Sequence, residues 1–252
     1  MLKLAFYGKG GIGKSTTVSN IALALAEKGL KVVQIGCDPK ADSTSLLLRG
    51  GKVTPVLDMI RKGVPFGLDD ISLKGENDVI CVESGGPAPG VGCAGRGIIA
   101  ALETLEKKGA FREWAPDVVL YDVLGDVVCG GFSMPMRNGF ADWVYILTSG
   151  ENMAIHAAAN IAMAVGNFSS RGYAKLGGFI LNKRNVKNEI PKVEELAADF
   201  NTSITGVLEW SVLVQEAEEA KGSLLSLFPD SPDAASYRAL ADNILKQVQS
   251  EK

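Results

Sequence analysis

Gly8-Lys9-Gly10-Gly11-Ile12-Gly13-Lys14-Ser15 fits the pattern G-x-x-x-x-G-K-[ST], a loop whose backbone amides form a nest for phosphate oxygens. The apolar run Lys3 to Tyr7 precedes it and a helical pattern, Lys14 to Lys28, follows. The loop amides and the positive end of the helix dipole would then face the same anion. Lys14 is placed to reach the β- and γ-phosphates, Ser15 to offer its hydroxyl to magnesium, and Thr16 to face the α-phosphate. A merely structural glycine turn would not need the lysine, the hydroxyl and both flanking elements in this order.

Two further segments put carboxylates after predicted strands. One is Gly36-Cys37-Asp38-Pro39-Lys40-Ala41-Asp42-Ser43-Thr44, the other Asp122-Val123-Leu124-Gly125-Asp126. Hydrolysis of a phosphoanhydride needs a positioned water and a hydrated magnesium ion. Asp38 is the candidate for orienting the water and Asp122 for holding magnesium through its water shell. Lys40 and Asp42 lie beside them. Gly125 is placed to turn an amide toward the γ-phosphate, with Asp126 relaying the change. Each aspartate has a second reading as a turn or helix cap.

The four cysteines do not form a secreted disulfide framework in a chain of this length. Cys93 and Cys129 stand 36 positions apart in Gly-rich stretches, ESGGPAPGVGCAGRG and DVLGDVVCGGFSMPMR, both predicted as loops. Two thiolates cannot complete a 4Fe-4S cluster, but two chains across a twofold axis supply four. A lone cysteine is also simply a small buried hydrophobe. The single histidine, His156, falls on an Ala-rich helical run and is read as structural.

The elements that must position these residues follow from an alternation of short β-branched runs with longer helical patterns, the mark of a parallel sheet. Strands are predicted at Lys3 to Tyr7, Lys31 to Gly36, Val79 to Glu83, Val118 to Val123, Trp143 to Thr148, Gly177 to Leu181 and Ile204 to Leu208. Helices are predicted at Lys14 to Lys28, Gly97 to Lys108, Met153 to Phe168, Pro191 to Asn201, Val212 to Lys221 and Asp233 to Gln249. With 252 residues, 46% hydrophobic, and no linker or repeat, the expectation is one doubly wound, mostly parallel α/β domain spanning 1–252. A net charge of -3 argues against nucleic acid as a partner. The opening MLKLAFYGKGG is too short and interrupted for a membrane segment, so a cytoplasmic protein is expected.

Lys9 makes GKGGIGKS resemble the deviant subgroup of phosphate-loop ATPases. That resemblance implies a homodimer in which Lys9 reaches the partner subunit's nucleotide, as an arginine finger does elsewhere; a solvated loop lysine is the other reading. From Lys3 to about Tyr237, the motifs GKGGIGKSTT, GCDPKADST, CVESGGP-PGVGCAGRG and YDVLGDVVCGGF-MP-R resemble the nitrogenase iron protein family. The resemblance implies a 4Fe-4S cluster held by Cys93 and Cys129 of each subunit, and MgATP or MgADP bound by Gly8 to Thr16, Asp38, Lys40, Asp42, Asp122, Gly125 and Asp126. It further implies that Asn182 contacts adenine, that Gln215 of the adenine loop and Tyr237 help bind the nucleotide, that Glu151 acts from the partner subunit, and that Arg96 and Arg137 belong to a docking face. Cys37 and Cys81 match positions that are not ligands.

The implied activity is delivery of single electrons from a low-potential donor, such as ferredoxin or flavodoxin, to a separate catalytic component. That component would reduce dinitrogen, a tetrapyrrole or an organic sulfur compound. A nonredox switch ATPase of the same deviant group is the alternative class. Two departures stand out: the adenine loop reads Glu209-Trp210-Ser211-Val212-Leu213-Val214-Gln215 where the family usually carries Pro and Asp, and Asn138-Gly139-Phe140 replaces a more charged stretch.

Overall fold

The computed structural model describes residues 1–86, 94–125, 133–136, 139–169 and 173–250. In chain order it comprises β1 (Leu2–Gly8), α1 (Lys14–Ala26), β2 (Val32–Cys37), α2 (Val56–Lys62), β3 (Ser72–Lys74), β4 (Ile80–Glu83), α3 (Ala94–Lys107), α4 (Ala110–Glu113) and β5 (Val118–Val123). There follow β6 (Trp143–Thr148), α5 (Asn152–Ser169), β7 (Lys175–Asn182), α6 (Glu189–Asp199), β8 (Ile204–Leu208), α7 (Val212–Glu219), α8 (Leu224–Leu227) and α9 (Pro232–Ser250).

The strands form one eight-stranded sheet in the order β3-β4-β2-β5-β1-β6-β7-β8. All neighbours are parallel except the edge pair β3 and β4. β2, β5 and β6 are buried at every position, as strands covered on both faces must be. On one face the apolar stripe of α3 (Ile98, Leu102, Leu105) joins those of α5 (Ile161, Val165) and α6 (Val193, Leu196). On the other, α1 (Val18, Ile21, Leu25) packs with α8 and α9 (Leu240, Ile244, Val248). Each fully buried aliphatic side chain of these stripes contributes about 1.5–3 kcal/mol relative to an exposed one. The sheet is thereby clamped from both sides, while its carboxyl edge is left for loops.

The seven predicted strands are present, three with the predicted ends and four with ends moved by one or two residues. Differences lie where the local signal is short. β3 is three residues with a polar, half-exposed pattern, too brief to show an alternation. α2 buries only Val56 and Leu57 and stops at Gly63, whose φ is 65°, so its apolar stripe never completes two turns. α3 begins at Ala94 rather than near Gly97, whereas β5 spans Val118–Val123 as predicted, so only the part of the Gly-rich stretch after Val123 follows the strand. Cys81 lies inside β4 and Cys37 closes β2. His156 is exposed on α5. Among the described residues, no helix is long and apolar enough to cross a membrane.

Candidate functional site

Parallel strands all deliver their following loops to one edge, and the central position of β1 decides which loops meet. β1 lies between β5 and β6, with Phe6 opposite Asp122 and Gly8 opposite Leu147. Asp122 in turn sits opposite Gly36 of β2. The phosphate loop leaving β1 is therefore flanked by the ends of β2, β5 and β6. Gly13, the residue before α1, has φ 88°, and a Cβ there would stand 2.6 Å from Asn182 Nδ2; glycine alone fits both constraints.

The loop bounds a cleft of about 740 Å³. Of the sequence candidates, Lys9, Gly10, Gly11, Gly13, Lys14, Ser15, Thr16, Asp38, Lys40, Asp42, Gly125, Asn182, Gln215 and Tyr237 line it. Gly8 and Ile12 are buried behind the loop. Glu151 is exposed, accepts the Ser149 hydroxyl at 3.0 Å and does not line the cleft of its own chain. Arg96 is exposed on the first turn of α3. Cys93, Asp126, Cys129 and Arg137 lie outside the described residues.

Asp122, only 2% exposed, does not itself line the cleft but is the hub directly behind two residues that do, Lys14 and Ser15. Lys14 Nζ donates to Asp122 Oδ1 at 2.6 Å, while the hydroxyls of Ser15 and Ser43 donate to Oδ2 at 2.5 and 2.6 Å. A carboxylate and a serine hydroxyl this close form the hard-oxygen pair that suits magnesium, so the residues present fit the metal the motif implies. Asp38 lines the cleft and accepts the Lys40 amide at 2.9 Å through Oδ1, as the turn reading expects. Thr16 donates to Glu218 of α7. Asn182 Nδ2 donates to the Ile12 carbonyl at 2.7 Å, and Arg184 to that of Gly11 at 2.8 Å, fixing the rim of the loop from β7.

Behind Asp122 is a second carboxylate that was not singled out from the sequence. Glu83, the last residue of β4, is 1% exposed. Thr44 donates its amide and its hydroxyl to Glu83 Oε1, each at 2.8 Å, whereas Oε2 is buried without a partner among the described residues. Burial pushes this carboxyl up to about 8; the two Thr44 bonds oppose the shift and the negative charges of Asp122 and Asp42 add to it. Glu83 thus pins the β2 loop to the strand that runs into residues 84–93. Its signal in the sequence was the single acidic letter closing the apolar run Ile80-Cys81-Val82. Ser43, Arg184 and Glu218 were also passed over, each a polar residue with no motif of its own.

β4 and β5 flank β2 in the sheet, so the segments containing Cys93 and Cys129 leave the same edge two strands apart. Cys37 and Cys81 are fully buried, and burial pushes both thiols up to about 12. A thiol held that far from ionisation makes a poor metal ligand. Among the described residues, no cluster of three or more His, Cys, Asp or Glu could hold a metal ion.

The description "4Fe-4S iron sulfur cluster binding proteins, NifH/frxC family" matches residues 2–251. The chain belongs to that family. It is 49% identical over 249 residues to the nitrogenase iron protein of Methanospirillum hungatei JF-1, covering 97% of this chain and 88% of that one. To the nitrogenase iron protein of Methanococcus voltae it is 48% identical over 252 residues, covering 99% and 90%. Membership in the NifH/frxC family makes the chain an ATP-hydrolysing oxidoreductase component that uses a 4Fe-4S cluster and MgATP. Its fold is also that of the cell division ATPase MinD of Pyrococcus furiosus (TM-score 0.73, 17% identity, 97% and 98% of the two chains). The septum site-determining protein MinD of Pyrococcus horikoshii, complexed with Mg-ADP, is similar at TM-score 0.74, with 18% identity over 100% and 98% of the chains. The deviant phosphate-loop fold expected from Lys9 is therefore the one observed.

Proposed function

We propose that this chain acts as a single nucleotide-binding unit in a homodimer bridged by one 4Fe-4S cluster, and passes single electrons to a separate catalytic component. The observation that carries the reading is the Asp122 hub. The magnesium-side residue of the phosphate site lies on the strand whose continuation holds Cys129, seven residues on. Lys14 and the loop amides bind phosphate, Ser15 and Asp122 hold the metal, and Asp38 orients water. Lys9 completes the partner subunit's site, and Glu151, turned away from its own cleft, serves the same neighbour. When bound, the cluster supplies a one-electron couple. Cys93 and Cys129 hold it, Arg96 and Arg137 face the docked component, and Gly125 with Asp126 transmits the presence of the γ-phosphate along the β5 loop. The donor is a low-potential carrier such as ferredoxin or flavodoxin, and the setting is the cytoplasm.

Anaerobic purification tests this directly. The dimer should be brown, with four irons per two chains and a low-temperature spin-resonance signal on reduction. Cys93→Ala and Cys129→Ala should each abolish both, whereas Cys37→Ala and Cys81→Ala should retain them. A colourless dimer that still hydrolyses ATP would instead place the chain among nonredox switch ATPases.

A further inference from the structure

Beyond the phosphate loop, the cleft continues between the end of β7 and the start of α7, where Asn182, Trp210, Val214, Gln215 and Tyr237 line it. The polar groups here are largely committed. Ser211 caps α7, accepting the Leu213 amide at 3.2 Å and donating to Asp233 at 2.8 Å. Lys183 is paired with Glu209 at 2.8 Å. Asn182 spends its amide group on the Ile12 carbonyl. Of the two aromatic rings among the described residues lining the cleft, Tyr237 is 4% exposed, whereas Trp210 is 46% exposed. An indole left open to water is an unusual disposition for so large an apolar side chain, and it stands in a two-residue link held at both ends. Leu208 closes β8, where it accepts the Lys183 amide at 2.9 Å, and Ser211 is bonded into the α7 cap.

We infer that Trp210 is the stacking platform for the purine base of the bound nucleotide. This rests on the nucleotide reading of the cleft. With the phosphates at Lys14 and Ser15, the remaining length of the cleft is available to ribose and base, and its far wall carries the exposed indole. A purine presents a flat π-face, and stacking on an aromatic ring stabilises such a base without requiring a hydrogen-bond partner. That suits a wall whose serine, lysine and glutamate are already paired. Trp210 is accordingly a specificity residue for nucleotide over bare phosphate, not a group that touches the reacting atoms.

The test uses the full-length anaerobic dimer and two ligands, MgADP and magnesium pyrophosphate, the second lacking a base. Trp210→Ala should weaken MgADP by about 5- to 150-fold, the range for losing one base-stacking partner, and leave pyrophosphate affinity unchanged. Trp210→Phe should restore most of the MgADP affinity. MgADP should also quench the wild-type tryptophan emission, and the quench should disappear in Trp210→Phe, which keeps Trp114 and Trp143. Equal MgADP affinity in wild type and both variants would overturn the inference, as would an equal loss for both ligands. A change in dimer dissociation by sedimentation without a change in MgADP affinity would assign Trp210 to the subunit interface and overturn it as well. Failure of the wild type to bind MgADP at all would instead remove the nucleotide reading beneath it.

Discussion

Two carboxylates on the strands that flank β2, Asp122 of β5 and Glu83 of β4, occupy opposite electrostatic situations. Asp122 is met by a cation and two hydroxyls; Glu83 has two Thr44 donors on one oxygen and, among the described residues, none on the other. Removing the cation at the first site should be felt by the fold as well as by the ligand. Lys14→Ala leaves a 2%-exposed carboxylate without its counter-ion, which should cost about 3 kcal/mol or more in chemical denaturation and also abolish MgADP binding in calorimetry. Unaltered stability would show that the pair carries no structural weight. At Glu83 the sign runs with pH. Its carboxyl is raised from 4.5 to about 8 in the fold, so the native state holds a proton that the unfolded chain has released. Stability from this group is present below about pH 4.5 and is lost as pH rises through about 8. Glu83→Gln cannot titrate, so its stability relative to wild type should climb between pH 5 and pH 8, on the order of a few kcal/mol. A difference that is flat across that range would mean the carboxyl ionises normally.

Among the elements, the loop after β5 and the phosphate loop approach each other closely, backbone to backbone. A Cβ on Gly125 would stand 2.0 Å from the Gly8 carbonyl oxygen and 2.8 Å from Lys9 Cα. Gly125→Ala must therefore push the two loops apart, at about 1–3 kcal/mol of stability, and should weaken MgATP binding by at least tenfold while leaving far-ultraviolet dichroism unchanged; wild-type affinity would show that the contact is not needed. The phosphate loop itself was legible from the sequence because glycine, lysine, serine and flanking periodicity lie within a few residues of one another. The same holds for β5, a six-residue buried run. What could not be read is whatever depends on strand order. The meeting of Ser43 with Asp122 spans 79 positions and that of Thr44 with Glu83 spans 39, and both exist only because β2 lies between β4 and β5. The antiparallel edge strand β3 escaped for the opposite reason, since three half-exposed residues carry no period to detect.

For the whole molecule, the sheet joins the nucleotide and the cysteine-bearing segments into one body, so the two ligands should share a free energy. Gly125 touches the phosphate loop four residues before Cys129. Typical couplings of 1–3 kcal/mol correspond to about 40 to 130 mV for one electron. MgATP or MgADP should shift the midpoint potential of the cluster by that amount, and by reciprocity the oxidised and reduced dimers should differ in nucleotide affinity by the matching factor. A redox titration with and without nucleotide checks it; identical potentials would show that the β5 loop carries no coupling.

The pairing of Lys14 with Asp122 has one more implication. The cleft arrives with its own internal counter-ion, so a triphosphate does not simply meet a free lysine; it must win Lys14 away from a carboxylate and leave that carboxylate facing four negative charges. A divalent ion delivered with the nucleotide would take over as its partner, beside the Ser15 and Ser43 hydroxyls. The cleft is in this sense expected to act as a coincidence detector, favouring triphosphate and metal together over either one alone.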